Sequence, residues 1–200
     1  MLPSQSSGLH FRLRQATKQL HHVLDHHPLL APLVSHDLTR VQYGDALEAL
    51  HGVQVQAEEG IFEFLALHPG LFDYGVRRKV PALEADLAAL GRVPVRLTMN
   101  PPALTSISDL VGVLYTLEGS TQGGQVIARL LRQLPIGNLP TSFFDGYGAL
   151  SHQRWKEFLQ FADTVCPEQE WELAAGAAAT TFEAIGAHLD AYRDHLVARP

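Results

Sequence analysis

Two hundred residues, 46% of them apolar and 18% charged, are enough for one domain with a substantial core. Fifteen Lys and Arg against 21 Asp and Glu leave a formal charge of −6, which argues against nucleic acid or an anionic membrane as the main partner. The one cysteine, Cys166, excludes an internal disulfide and a cysteine-rich metal site. No apolar run reaches the ~18 residues of a membrane span, and the first residues lack a signal-peptide core, so a cytoplasmic protein is expected.

In chain order, residues 1–8 bear Ser, Gly and Pro and read as a loose tail, with a single domain over 9–197. A helix is expected over 9–27, where Leu13, Ala16, Leu20 and Leu24 share a face and Pro28 ends the run. A longer one follows over 38–67, with Tyr43, Leu47, Leu50, Ala57 and Ile61 in its stripe and His68-Pro69-Gly70 as its stop. Pro81 opens a helix over 80–90 and Gly91 closes it. Residues 92–105 carry three prolines and form a loop, although 92–97 is short and apolar enough for a strand. Ser106 or Ser108 can cap a helix over 107–134. Residues 135–148 read as loop again, and helices over 151–165 and 167–197 complete an all-α fold.

Two of these helices carry unusual chemistry. In the first, Arg14, Lys18 and His21 fall in one sector, because a turn takes 3.6 residues. Cations beside an imidazole suit a planar, metal-bearing ligand with carboxylates at its edge, such as heme. Asp25, one turn beyond His21, can accept the imidazole's second N–H and orient the ring. Spacing alone favours a plain amphipathic helix with its cations in water. In the helix over 107–134, Gly119, Gly123 and Gly124 interrupt an apolar run. Each mid-helix glycine costs about 0.5–1 kcal/mol relative to alanine, so three together cost roughly 2–3 kcal/mol. Either another helix crosses closely there or a flat ligand lies against the backbone.

Taken together, Ala16-Thr17-Lys18-x-x-His21 resembles the proximal helix of heme oxygenases, and Glu118-Gly119-Ser120-x-x-Gly123-Gly124 resembles their distal helix, especially in bacterial members. The resemblance spans residues 9–195 and implies a helical bundle holding heme between those helices, the distal one kinked at its glycines. It implies His21 as iron ligand, with Asp25 behind it. Arg14 and Lys18 would meet the heme propionates. Gly119 and Gly123 would give room for heme and dioxygen, and Phe182 would line the pocket. The implied activity opens heme with dioxygen to biliverdin, carbon monoxide and iron. Electrons would come from an external ferredoxin-, flavodoxin- or reductase-type donor, and a phytochrome is a possible biliverdin acceptor. Animal-type members carry aspartate directly after the first distal glycine. Ser120 stands there in this chain, which leaves the proton-delivering group open among Ser120, Thr121 and Gln122.

Three rivals remain at this level. A non-catalytic heme carrier or sensor would keep the same histidine. A di-iron oxidase needs two Glu-x-x-His motifs on facing helices, and only Glu48-Ala49-Leu50-His51 is present, with Glu48 expected to be exposed. A thiaminase-like enzyme needs a nucleophilic cysteine in a pocket, whereas Cys166 precedes Pro167 at a helix junction and reads as structural.

Overall fold

The computed structural model describes residues 8–95 and 97–198, and among these every regular element is helical. Seven α-helices follow in order: α1 (Gly8–Asp25), α2 (Arg40–Leu67), α3 (Val80–Ala89), α4 (Ile107–Leu131), α5 (Ser142–Asp145), α6 (Ser151–Val165) and α7 (Trp171–Val197). Single 3-10 turns fill several of the junctions. The expected tail lies outside the described residues except for Gly8, which already belongs to α1.

Local chemistry explains the longer helices. Thr39 and Gln42 form a reciprocal capping box at the start of α2, and Ser106 and Asp109 form another at α4. Of the two serines able to cap α4, Ser106 does so, while Ser108 is buried against Glu170. α4 continues in hydrogen-bonded helix through all three glycines and stops at Leu131, one turn short of the expected end. The segment expected as loop over 135–148 contains α5, a single turn too short to leave a periodic signal. Residues 92–95 and 97 adopt no strand.

α7 is the spine of the bundle. α4 packs along it so closely that a Cβ on Gly112 would stand 2.5 Å from the carbonyl oxygen of Ala174 and 2.6 Å from the Ala178 nitrogen. The small buried residues Ala174, Ala175 and Ala178 complete this seam. α1 lies along α7 as well, burying Leu9 and Leu13, and α6 packs on α4. A second apolar cluster, including Tyr43, Leu47, Leu83, Leu87, Leu131 and Phe144, joins α2, α3 and α5 to the end of α4. α1 and α4 thus share α7 as a common wall while touching each other little. The groove between them is where both sequence motifs sit.

Candidate functional site

On α1, the buried Thr17 hydroxyl donates to the Leu13 carbonyl at 2.8 Å, which turns the sector of Arg14, Lys18 and His21 outward. His21 Nδ1 lies 2.9 Å from Asp25 Oδ2. A carboxylate only accepts, so Nδ1 carries the shared hydrogen, and Nε2 has no partner among the described residues. The His21 ring packs beside Phe182 of α7, with centroids 5.8 Å apart. The neighbouring histidines are engaged otherwise. His22 and His26 face each other at 4.3 Å, His26 Nδ1 bonds the His22 carbonyl, and His27 is buried near Asp190. His21 is therefore the histidine of the cluster that a neighbouring carboxylate orients and that contacts Phe182.

Arg14 and Lys18 are exposed and form no ion pair among the described residues, whereas Arg12 reaches Glu172 at 3.4 Å. Arg14 leans toward His10 and Tyr115. His10 is held below the ordinary imidazole range, first by burial and then by the Arg14 charge. Unpaired cations at the rim of a groove suit a ligand that brings its own carboxylates.

Gly119, Gly123 and Gly124 of α4 divide between the two readings left open by the sequence. A Cβ on Gly124 would meet the Phe144 carbonyl oxygen of α5 at 2.9 Å, so that glycine serves close packing. A Cβ on Gly123 would meet nothing within 4 Å, and one on Gly119 would find only the Trp155 ring at 3.8 Å, an ordinary contact. Among the described residues no backbone approaches a Cβ at either position: Gly123 faces open space, and Gly119 faces the Trp155 ring of α6.

The polar candidates also separate. Thr121 is buried with its hydroxyl on the Glu118 carbonyl, and Gln122 donates to the Ser151 carbonyl of α6. Ser120 is exposed, its hydroxyl resting on the Leu117 carbonyl at 2.7 Å. Of the three, only Ser120 is exposed, with its hydroxyl bonded within its own helix.

Sequence reasoning missed the aromatic end of the groove. Trp155 of α6 meets His10 edge to face (5.7 Å), lies tilted against Tyr115 (5.9 Å) and is the ring beside Gly119. Tyr115 lies one turn before the α4 motif, and nothing in the spacing of α6 ties Trp155 to α1 or α4. Also missed was a buried ionic cluster behind α4. Arg77 is 2% exposed and Glu118 fully buried, with 2.7 Å between Nη1 and Oε2. Tyr147 donates to the other Glu118 oxygen at 2.7 Å.

The rival sites lack their parts. Glu48 is buried, contrary to expectation, because Arg92 and Tyr192 bind its carboxylate. His51 lies 3.5 Å from Glu84, and no group of three or more His, Cys, Asp or Glu among the described residues is arranged to hold a metal ion. Cys166 is buried and its thiol is pushed upward in pKa, mainly by that burial, which disfavours a nucleophilic thiolate.

This architecture is shared with solved heme oxygenases. Heme oxygenase-1 from the cyanobacterium Synechocystis sp. PCC6803, solved in complex with heme, superposes with a TM-score of 0.72 at 17% identity, covering 94% of each chain. Heme oxygenase from Leptospira interrogans gives 0.71 at 17% identity over 94% of this chain and all of that one. Heme oxygenase 2 from Chlamydomonas reinhardtii, solved without heme, gives 0.70 at 20% identity over 92% and 97%. Identities this low speak for the fold alone. The sequence carries the rest: the heme oxygenase family profile matches residues 7–191, nearly the whole chain, and the chain belongs to the heme oxygenase family. A heme oxygenase of Xanthomonas campestris pv. campestris (strain 8004) is 41% identical over 95 residues, covering 48% of this chain and 56% of that protein, so the match spans little more than half of the relative. No described helix is long and apolar enough to cross a membrane.

Proposed function

We propose that this chain binds heme in the groove between α1 and α4 and opens the ring with dioxygen, releasing biliverdin, carbon monoxide and iron. The observation that carries this reading is the pairing of a carboxylate-oriented histidine on α1 with a stretch of α4 in which Gly123 faces open space and Gly119 meets only the Trp155 ring. The donor set fits the ligand: one imidazole nitrogen without a partner, two exposed cations for the propionates, and Phe182 against the ring. Heme, when bound, supplies both the iron that activates dioxygen and the carbon skeleton that is cut.

The protein's own contribution is positional. Asp25 keeps the proton on His21 Nδ1 and leaves Nε2 as the ligand atom. Arg14 and Lys18 anchor the acidic edge and so set the rotation of the ring. Gly119 and Gly123 keep methyl groups out of the space where a diatomic ligand must tilt toward a ring carbon. Ser120 is the hydroxyl that can hold a proton-delivering water on that side. Electrons come from an external donor protein.

The test is hemin titration followed by reduction under air. One equivalent of hemin should give a histidine-ligated Soret band, lost in His21→Ala and retained in His22→Ala and His26→Ala. Adding reductant under air should bleach that band and yield biliverdin. Stable ferrous heme with no pigment released would reduce the function to carrying or sensing heme. Loss of ligation on replacing His22 or His26 instead would overturn the assignment of His21.

A further inference from the structure

Glu118 belongs to the α4 motif, yet it faces away from the groove, and the cluster behind it includes a second buried cation. Lys79, at the start of α3, is 4% exposed, and its ammonium donates to the carbonyl oxygen of Leu117. The nearby carboxylates have other partners. Glu58 accepts from the backbone N–H groups of Lys79 and Val80, at 2.5 and 3.1 Å, and from Arg78 at 3.3 Å. Glu118 is held by Arg77 and Tyr147. Lys79 thus spends a buried charge on one main-chain oxygen of α4.

That oxygen is the one on which the Ser120 hydroxyl rests, at 2.7 Å. In an α-helix it is also due the N–H of the residue four places on, Thr121. Three donors therefore converge on an acceptor with two lone pairs. The ammonium makes the strongest, charge-assisted bond, and the amide is fixed by the helix. The exposed serine hydroxyl is the donor that can turn away at least cost.

We infer that Lys79 is a positioning residue that frees the Ser120 hydroxyl to donate into the groove, toward a water or diatomic ligand on the heme face. This inference rests on the reading of α4 as the distal wall. Lys79 touches no ligand itself. It competes for the Leu117 carbonyl from behind, so that the hydroxyl, which rests on that oxygen at 2.7 Å in the unloaded protein, gives it up at less cost by a side-chain rotation when a ligand arrives. Without the ammonium, the hydroxyl stays on the carbonyl and the groove loses a donor.

The carbon–oxygen stretching frequency of the carbon monoxide complex of the reduced, heme-loaded protein reads this directly, since a donor to the bound ligand lowers it. Ser120→Ala should raise the frequency. Lys79→Met should raise it too, but produce no further shift in the Ser120→Ala background, because both remove one donor. Lys79→Gln keeps a neutral donor on the carbonyl, and its smaller shift should likewise vanish without the serine. It serves in place of Lys79→Met should the loss of buried charge prevent folding. No shift in Ser120→Ala would overturn the placement of Ser120 on the heme face, and this inference with it. A shift in Ser120→Ala, with Lys79 variants either silent or equally effective in both backgrounds, would overturn the inference alone.

Discussion

A methyl group is the smallest probe of what each α4 glycine is for. At Gly112 it would strike the α7 backbone, so Gly112→Ala should lower the melting temperature of the unloaded protein, an overpacking cost of about 1–3 kcal/mol. At Gly123 the added carbon meets nothing, and helix propensity favours alanine by up to ~1 kcal/mol. Gly123→Ala should leave the unloaded melt unchanged or higher while biliverdin yield falls. A lower melt with normal yield per folded molecule would remove Gly123 from the ligand side. The sequence groups Gly119 with Gly123 by their four-residue spacing, but it cannot tell what lies opposite. The partner of Gly124 is a single turn of helix, α5, hidden in what reads as loop. The contact between His21 and Asp25 was legible because the two stand at helical spacing, whereas Trp155 lies on a helix whose neighbour the sequence does not name.

At the scale of one element, the start of α4 is fixed by Ser106 and Asp109. Ser106→Ala should cost about 1 kcal/mol, the usual worth of an N-cap, visible as a lower melting temperature. The Asp109 carboxyl is partly buried, which alone would raise its pKa. Hydrogen bonds from Thr105 and Ser106 outweigh that and hold it below the ordinary aspartate range. With the folded value below the unfolded one, near 4, the cap stabilises fully above that pH and fades as pH falls through the folded value. Asp109→Asn should therefore melt below the wild type at neutral pH, with the gap closing in acid. A gap independent of pH would show that the charge contributes nothing. Helix identities were readable from periodicity, prolines and caps. Their ends were less so: α7 starts at Trp171 because a 3-10 turn over Glu168–Glu170 intervenes, which no residue pattern distinguishes from a first helical turn.

Over the whole molecule, the ionic cluster of Glu58, Arg77, Lys79 and Glu118 ties α2, the approach to α3 and the centre of α4 together behind the groove. It left no mark in the sequence, where isolated charges read as solvated and only tertiary packing brings them into contact. The helical class and the two motif-bearing helices were legible because each depends on spacing within one segment. α1 has no such tie. Its buried residues, Leu9, Leu13 and Thr17, all lie toward its beginning, and from Lys18 to Asp25 none is fully buried. The half carrying His21 thus has less hold on the core than the first half of α1, and local opening follows contact density. Backbone amides of that half should exchange with deuterium faster than those of residues 12–17 in the unloaded protein. A ligand joined to His21 and resting on α4 would bridge the two helices, and hemin should slow exchange there far more than in α6. Equal protection with and without hemin would mean that this turn of α1 is already set before its ligand arrives. Otherwise the affinity for heme includes the work of ordering it, and any substitution that stiffens residues 18–25 should tighten binding without adding a single contact to the porphyrin.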